Sequence, residues 1–292
     1  MTSTYPPLEE RRSSRLSLPA IAPSYPSKRR SSVSQSPQHF LRLVENPERA
    51  QLQTSILSYN RSDQVQVDLI GAIHIGEKQY YHSLNERFKE YDILLYEQLK
   101  DNRELGDQPS DDIQAVTSFQ KWMKDQMSLE LQINQIDYSA GNFLHADLDL
   151  KTLTELQGDW GEAPLSLMLK GCLPEPTEKD PPTIEALVKG CTGKNKQTKV
   201  KLMLARHLQD IERIVSNIEG LKGTTILGER NKHVIKTLEE ILKSGKRKVG
   251  IFYGAAHMMD LAKRLAEQLN FRLRRTEWRT AWDMDKKGIE LN

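Results

Sequence analysis

The chain has 292 residues, of which 37% are hydrophobic and 28% are charged, and its mean hydropathy is −0.62. This composition is typical of a globular protein, and no apolar run approaches the roughly 18 to 20 residues that a membrane-spanning helix needs. The net charge of +2 comes from residues 1–39, which hold six basic and two acidic side chains, so the remainder is at −2. A nearly neutral remainder argues against a nucleic-acid-binding protein.

Residues 1–39 form a tail rich in Ser, Pro and Arg, with ten Ser and six of the 13 Pro. Because they lack a periodic apolar pattern, they cannot bury enough surface to offset the entropy of ordering, and we expect them to be disordered. No continuous apolar stretch suggests a secretory signal. We expect a cytoplasmic protein, with organelle import through this tail as the alternative.

Order is predicted to begin near Phe40, and the first strong element is a strand at Val65–Ile70 that runs directly into Gly71. A helix-prone run over 77–90 follows. The next strand, Ile93–Tyr96, ends at Glu97. This strand–helix–strand unit is typical of a parallel sheet.

Residues 111–220 show helical periodicity with Pro-rich interruptions, and they are predicted to form a helical insertion. Its clearest helix spans Lys199–Glu219, where apolar residues and His207 recur at helical spacing before Gly220. The two cysteines, Cys172 and Cys191, each follow a Lys-Gly pair. Two separate reduced thiols are favoured over a redox clasp, since the compartment is unknown.

The α/β pattern then resumes to the end of the chain. The predicted elements are a strand at Thr224–Leu227, a helix at Asn231–Lys243, a strand at Val249–Tyr253, a helix at Met259–Leu269 and a strand from Phe271. We therefore predict that residues 40–292 form a single α/β domain. Its mainly parallel sheet core is split in sequence by the helical insertion.

Two Gly-x-x-His motifs, Gly71–His74 and Gly254–His257, each come directly after a predicted buried strand. Parallel strands present their carboxyl ends at one edge of a sheet, and open α/β sheets bind ligands there. A glycine three residues before the histidine permits a tight turn or a close approach of the backbone. The two imidazoles are therefore predicted to lie at the same edge.

Two glutamates are predicted to lie at the same edge, because Glu97 and Glu229 end the predicted strands that lie beside the motifs. Imidazole and carboxylate ligands suit Zn, Mn, Co or Fe, and a bound metal lowers the pKa of a water molecule to near 7. We predict His74, His257, Glu97 and Glu229 as ligands that lie within a few Å of one another. One of the two glutamates would instead act as general base.

Arg230 is placed to stabilise a developing oxyanion or to bind a substrate carboxylate. Its neighbour Asn231 is predicted to bind substrate. A second polar cluster spans Asp137–Asp147, and His145 and Asp147 within it are also predicted to bind substrate. Turn and cap roles in this cluster are the alternative.

The order of these motifs resembles that of the TraB, PrgY and Tiki group, which is related to the erythromycin-esterase-like and ChaN-like families. The resemblance covers about residues 62–280 and rests on four segments: Leu69–His74, Leu94–Glu97, Leu227–Asn231 and Tyr253–Met258. It implies two Gly-x-x-His motifs around a metal-dependent hydrolytic centre, as proposed for the Tiki proteases. ChaN-like relatives, by contrast, bind haem.

The predicted function is that of a metal-dependent hydrolase acting on a peptide or small-molecule substrate, with Glu97, Glu229 and Arg230 as catalytic residues. A peptidase is the narrower form of this prediction. The alternative is a non-enzymatic regulatory protein that binds haem, a peptide or a signalling molecule in the same pocket. A third possibility is a scaffold whose helix at Lys199–Glu219 docks a partner.

Overall fold

The computed structural model describes residues 39–61, 64–98, 111–149, 152, 191, 193, 195–208 and 225–287. Residues 1–38, Cys172 and the predicted helical residues 209–219 lie outside the described residues. The described residues belong to one compact unit, Gln38–Asn292. None of the helices described is long and apolar enough to span a membrane.

Nine strands and six helices can be followed through the described residues. The strands are β1 (Leu41–Glu45), β2 (Arg49–Arg61), β3 (Val65–Ala72), β4 (Ile75–Gly76), β5 (Ile93–Tyr96), β6 (Glu130–Leu131), β7 (Phe143–His145), β8 (Lys248–Gly254) and β9 (Arg272–Asp285). The helices are α1 (Lys78–Phe88), α2 (Asp111–Met127), α3 (Gln132–Gln135), α4 (196–208), α5 (Thr225–Lys243) and α6 (Met258–Glu267), and a 3₁₀ turn spans Ala255–His257.

The central sheet has a parallel core formed by β3, β8, β5 and β7, in that order. In this core Ala72 pairs with Gly254, and Tyr96 pairs with Phe252, so the carboxyl ends of neighbouring strands are level. Strands β1, β2 and β9 extend the sheet in antiparallel pairings. The predicted α/β fold with a parallel sheet core is therefore confirmed.

Helices cover both faces of the sheet, and each face has its own apolar cluster. On one face α1 packs with part of α4, and on the other α5 packs with α6. Strand β8 contributes Phe252 to the first cluster and Ile251 and Tyr253 to the second. Burial on both faces explains why β8 is a continuous apolar run and not an alternating one.

One sequence prediction is wrong, one is not confirmed, and one strand was missed. The strand predicted at Thr224–Leu227 is wrong, because residues from Thr225 onward belong to helix α5. A short apolar run does not distinguish a strand from a helix, and a helix once begun extends cooperatively. The helical insertion is not confirmed, since β7 from the predicted insertion joins the central sheet. Strand β2 was not predicted, because polar Thr54, Ser55 and Ser58 are among its buried residues.

Candidate functional site

The parallel strands bring the predicted polar residues to one edge of the sheet. Glu97 follows β5 directly, His74 follows β3, His257 follows β8, and Asp147 follows β7. Pairing of β3 with β8 and of β8 with β5 sets the two histidine motifs and Glu97 side by side. The prediction that both Gly-x-x-His motifs end at the same edge is confirmed.

Glu97 is at the centre of the cluster, and its side chain is only 15% exposed. Its Oε2 accepts the backbone N–H of Gly254 at 2.6 Å, and its Oε1 accepts an N–H of Arg230 at 2.7 Å. The Nε2 of His257 is 3.5 Å from the same Oε1. Burial would raise the pKa of Glu97, but the charges of His257, Arg230 and His74 hold this pKa well below its usual range.

Arg230 joins two buried carboxylates. Its Nε and Nη2 donate to Asp147 at 2.8 and 2.6 Å, and Nη2 also donates to Glu97. The side chain of Asp147 is fully buried. Burial alone would lower the pKa of Arg230, but the charges of Glu97 and Asp147 raise it above the ordinary value. In this structure Asp147 and Arg230 hold Glu97 in place.

His257 is buried, with 3% of its surface exposed. Its Nδ1 is 2.8 Å from the Oδ1 of Asn231, and its ring packs edge-on against Tyr253 at a centroid distance of 5.3 Å. Asn231 is itself completely buried, and its Nδ2 donates to Asp260 at 2.9 Å. Asn231 was predicted to bind substrate, but here it lies behind the imidazole.

His74 is exposed and lies in the turn between β3 and β4. Its carbonyl accepts the backbone N–H of Gln132 at 2.8 Å, which anchors the turn. A Cβ built on Gly254 would be 3.9 Å from the Nε2 of His74 and 3.2 Å from the Oε2 of Glu97. The first motif therefore approaches the second at Gly254, beside the central carboxylate.

The glycines of the two motifs are expected to differ in their tolerance of a side chain. Gly254 has φ −54°, which any residue adopts, so alanine there acts only through its contact with Glu97 at 3.2 Å. A Cβ at Gly71 would meet its neighbours at 3.6 Å or more. We expect Gly254→Ala to lower the free energy of unfolding by about 1–3 kcal/mol and to displace Glu97.

Gly71→Ala is the matched control, and it should lower the free energy of unfolding by less than Gly254→Ala does. Urea denaturation of both variants measures the difference. Equal free energies of unfolding for the two variants would contradict the close approach at Gly254.

Glu229 and His145 form hydrogen bonds other than those of the central cluster. Because α5 begins at Thr225, Glu229 is a helical residue and does not end a strand, and its carboxylate pairs with Lys232 at the helix surface. The Nε2 of His145 contacts the carbonyl of Gln98 at 2.5 Å, and no hydrogen bond between described residues joins it to Glu97. Their catalytic and substrate-binding roles stay predictions that this arrangement does not support.

The predicted four-ligand metal set is not assembled. Among the described residues, no three His, Cys, Asp or Glu side chains are grouped so that they could hold a metal ion. Both oxygens of Glu97 accept protein N–H groups, and the Arg230 guanidinium occupies the position beside Oε1. The pair of His257 and Glu97 has suitable donor atoms, but the residues as arranged do not form a complete ligand set.

A cleft of about 480 Å³ opens elsewhere, and its lining residues are Glu48, Arg49, Glu77, Asp283, Asp285 and Lys287. None of the predicted site residues lines it. Three of these charged residues form ion pairs, since Arg49 binds Asp283 and Lys201 binds Glu77. We therefore place the candidate site at the polar cluster on the sheet edge.

Sequence reasoning missed the residues that support the cluster from behind. Asp260 and Arg264 follow the second motif and pair at 2.6 Å on α6, a spacing of four residues that the sequence does contain. No pattern in the sequence indicated that the backbone N–H of Gly254 donates to Glu97. Comparison of the chain with protein-family models, with curated proteins and with solved structures found no match.

Proposed function

We propose that the chain is a hydrolase whose active centre is the pair formed by His257 and Glu97, and that it is a member of the TraB, PrgY and Tiki group. One observation carries the proposal. The Nε2 of His257 and the Oε1 of Glu97 are 3.5 Å apart at the edge where α/β sheets bind ligands. Buried titratable groups that interact this closely are typical of catalytic sites.

His257 serves as the general base in the proposed reaction. Its Nε2 takes a proton from a water molecule, whose oxygen attacks the acyl carbon of the substrate. The imidazolium that forms faces Glu97, whose negative charge Arg230 stabilises through a hydrogen bond of its own. The same proton then passes to the leaving group, so the imidazole returns to its neutral state.

Arg230 and His74 have different parts in this scheme. Arg230 is held by Asp147 and Glu97, and its role is to keep the central carboxylate in position. His74 is exposed at the mouth of the cluster, where it contacts the substrate. This assignment differs from the sequence-based prediction, in which Arg230 stabilises an oxyanion or binds a substrate carboxylate.

Metal dependence stays a prediction that no step above requires. The ligands predicted from the sequence are His74, His257, Glu97 and Glu229, and as arranged they do not form a ligand set. A divalent ion there would lower the pKa of a bound water molecule. Ligation would require Arg230 to release Oε1 of Glu97, so metal content is measured together with activity.

The test uses the purified full chain with a panel of peptide, ester and amide substrates, and metal analysis of the same samples. We expect hydrolysis of at least one class, and its loss in His74→Ala and His257→Ala. No hydrolysis by the unmodified chain, or equal hydrolysis by all three proteins, would refute the hydrolase. Unchanged metal content in both variants would exclude metal ligation, and a haem titration followed by absorption tests the binding alternative.

A further inference from the structure

We propose that the amino-terminal edge of the parallel sheet core is a docking surface for an anionic lipid bilayer. This edge lies at the opposite ends of the strands from the candidate site, so the proposal goes beyond the hydrolase and does not depend on it. Six basic residues lie at this edge, and together we call them the basic edge: Arg61, Lys246, Arg247, Lys248, Arg272 and Arg274.

The sheet pairing aligns the basic residues of several strands. Asn60 of β2 pairs with Arg272 of β9 on one side and with Gln66 of β3 on the other. Gln66 in turn pairs with Lys248, the first residue of β8. Adjacent strands are about 4.8 Å apart, so this row across four strands spans about 14 Å. Arg61 follows Asn60 at the end of β2, so it lies at the same edge.

Two local backbone features bring further cations to this edge. The pairing register of β9 shifts between Leu273 and Arg275, so Arg274 is the extra residue of a β-bulge. Before β8, the Oδ2 of Asp92 accepts the backbone N–H of Arg247 at 2.9 Å, which fixes the turn that carries this residue. The carboxylate therefore binds the backbone of the turn.

The positive charge of the basic edge is only partly offset. Lys248 pairs with Glu90, whereas the other five members form no ion pair within the described ranges. Four of these five are exposed, and Arg61 is partly exposed over the ring of Phe271, 5.1 Å from its centroid. Exposed acids on this side of the sheet include Glu267 at the end of α6. An excess of cations therefore faces solvent here.

The arrangement favours a planar anionic surface over a single-stranded nucleic acid. The rings next to Arg61 and Lys248 belong to Phe271 and Tyr91, which are buried and so cannot stack on bases. Contact through charge alone is what lipid headgroups offer, and each Lys or Arg near an anionic bilayer strengthens binding about fivefold. The strands are about 20 Å long, so a bilayer at this edge leaves the candidate site open to water.

The first test measures sedimentation of the full chain with phosphatidylcholine vesicles and with vesicles that also contain phosphatidylserine. We expect binding only to the vesicles with phosphatidylserine, and weaker binding when the ionic strength rises from about 0.05 M to 0.15 M. Equal binding to both kinds of vesicle, or no binding to either at low salt, would overturn the proposal.

The second test removes charge from the basic edge. Arg272→Gln with Arg274→Gln is expected to weaken binding to phosphatidylserine vesicles about 25-fold. Arg206→Gln with Lys232→Gln is the matched control, because both are exposed cations on helices that already pair with Glu45 and Glu229. All variants keep the six basic side chains of residues 1–39. Equal affinities of the two double variants would assign binding to other charges and refute the basic edge.

Lys246→Gln with Arg247→Gln repeats this comparison in a separate turn, so the result does not depend on the folding of one variant. We expect a loss similar to that of the β9 variant, and an affinity equal to that of the unmodified chain would contradict the proposal. Duplex DNA is the competing ligand. Tighter binding to DNA than to the vesicles at the same salt concentration would replace the bilayer with a nucleic acid and overturn the proposal.

Discussion

Replacement of Glu97 by glutamine is expected to lower kcat for hydrolysis by about 10²–10³-fold, the range associated with loss of one electrostatic stabiliser. Glutamine keeps one oxygen that can accept the N–H of Gly254, but its NH₂ group then faces the N–H of Arg230, so stability must be measured as well. It removes the negative charge 3.5 Å from the Nε2 of His257, and the imidazolium formed during the reaction loses its counter-charge. The measurement is kcat on the best substrate, together with the free energy of unfolding.

Glu229→Gln is the informative control, because the sequence treats the two glutamates alike and the structure does not. The Glu229 carboxylate pairs with Lys232, and its side chain is 35% exposed. We expect unchanged kcat in this variant. A loss of activity equal to that of Glu97→Gln would favour the four-residue site predicted from sequence and contradict the arrangement described above.

Replacement of Arg230 by methionine is expected to lower the free energy of unfolding at pH 7 by about 3–5 kcal/mol, because removal of one partner leaves buried charges uncompensated. Asp147 is fully buried and Glu97 is 15% exposed, and both lose a charged hydrogen bond. Lys232→Met on the same helix removes an exposed pair and should cost no more than about 1 kcal/mol. Urea denaturation compares the two variants.

The pH dependence of stability provides a second measurement. The pKa of Glu97 in the folded chain is well below the usual value, so its ionised form stabilises the fold above the unfolded pKa of about 4.3. This contribution is lost as pH falls through the folded pKa. We expect the difference in free energy of unfolding between the unmodified chain and Arg230→Met to be constant from pH 7 to about 5 and to shrink at lower pH. A difference that stays constant at strongly acidic pH would contradict the conclusion that ionised carboxylates cause it.

Much of the site could be predicted because apolar runs determine where buried strands end. The strand at Ile93–Tyr96 was predicted with its observed bounds, and those at Val65–Ile70 and Val249–Tyr253 within two residues. Since parallel strands present their carboxyl ends at one edge, His74, Glu97 and His257 followed from local pattern alone. Strand β2 escaped prediction because its buried face includes polar residues.

The local sequence pattern did not determine which polar groups lie next to one another. Glu97 and Glu229 both follow apolar runs, but only one run is a strand, and that difference decides which carboxylate lies beside His257. The pairing of Arg230 with Asp147 spans 83 residues, and the contact of Asn231 with His257 spans 26. Short-range periodicity does not predict contacts between residues so far apart in the chain. Sequence by itself determined the α/β core and the edge where the two Gly-x-x-His motifs end, whereas side-chain packing at that edge decided which residues face the ligand side and which support them.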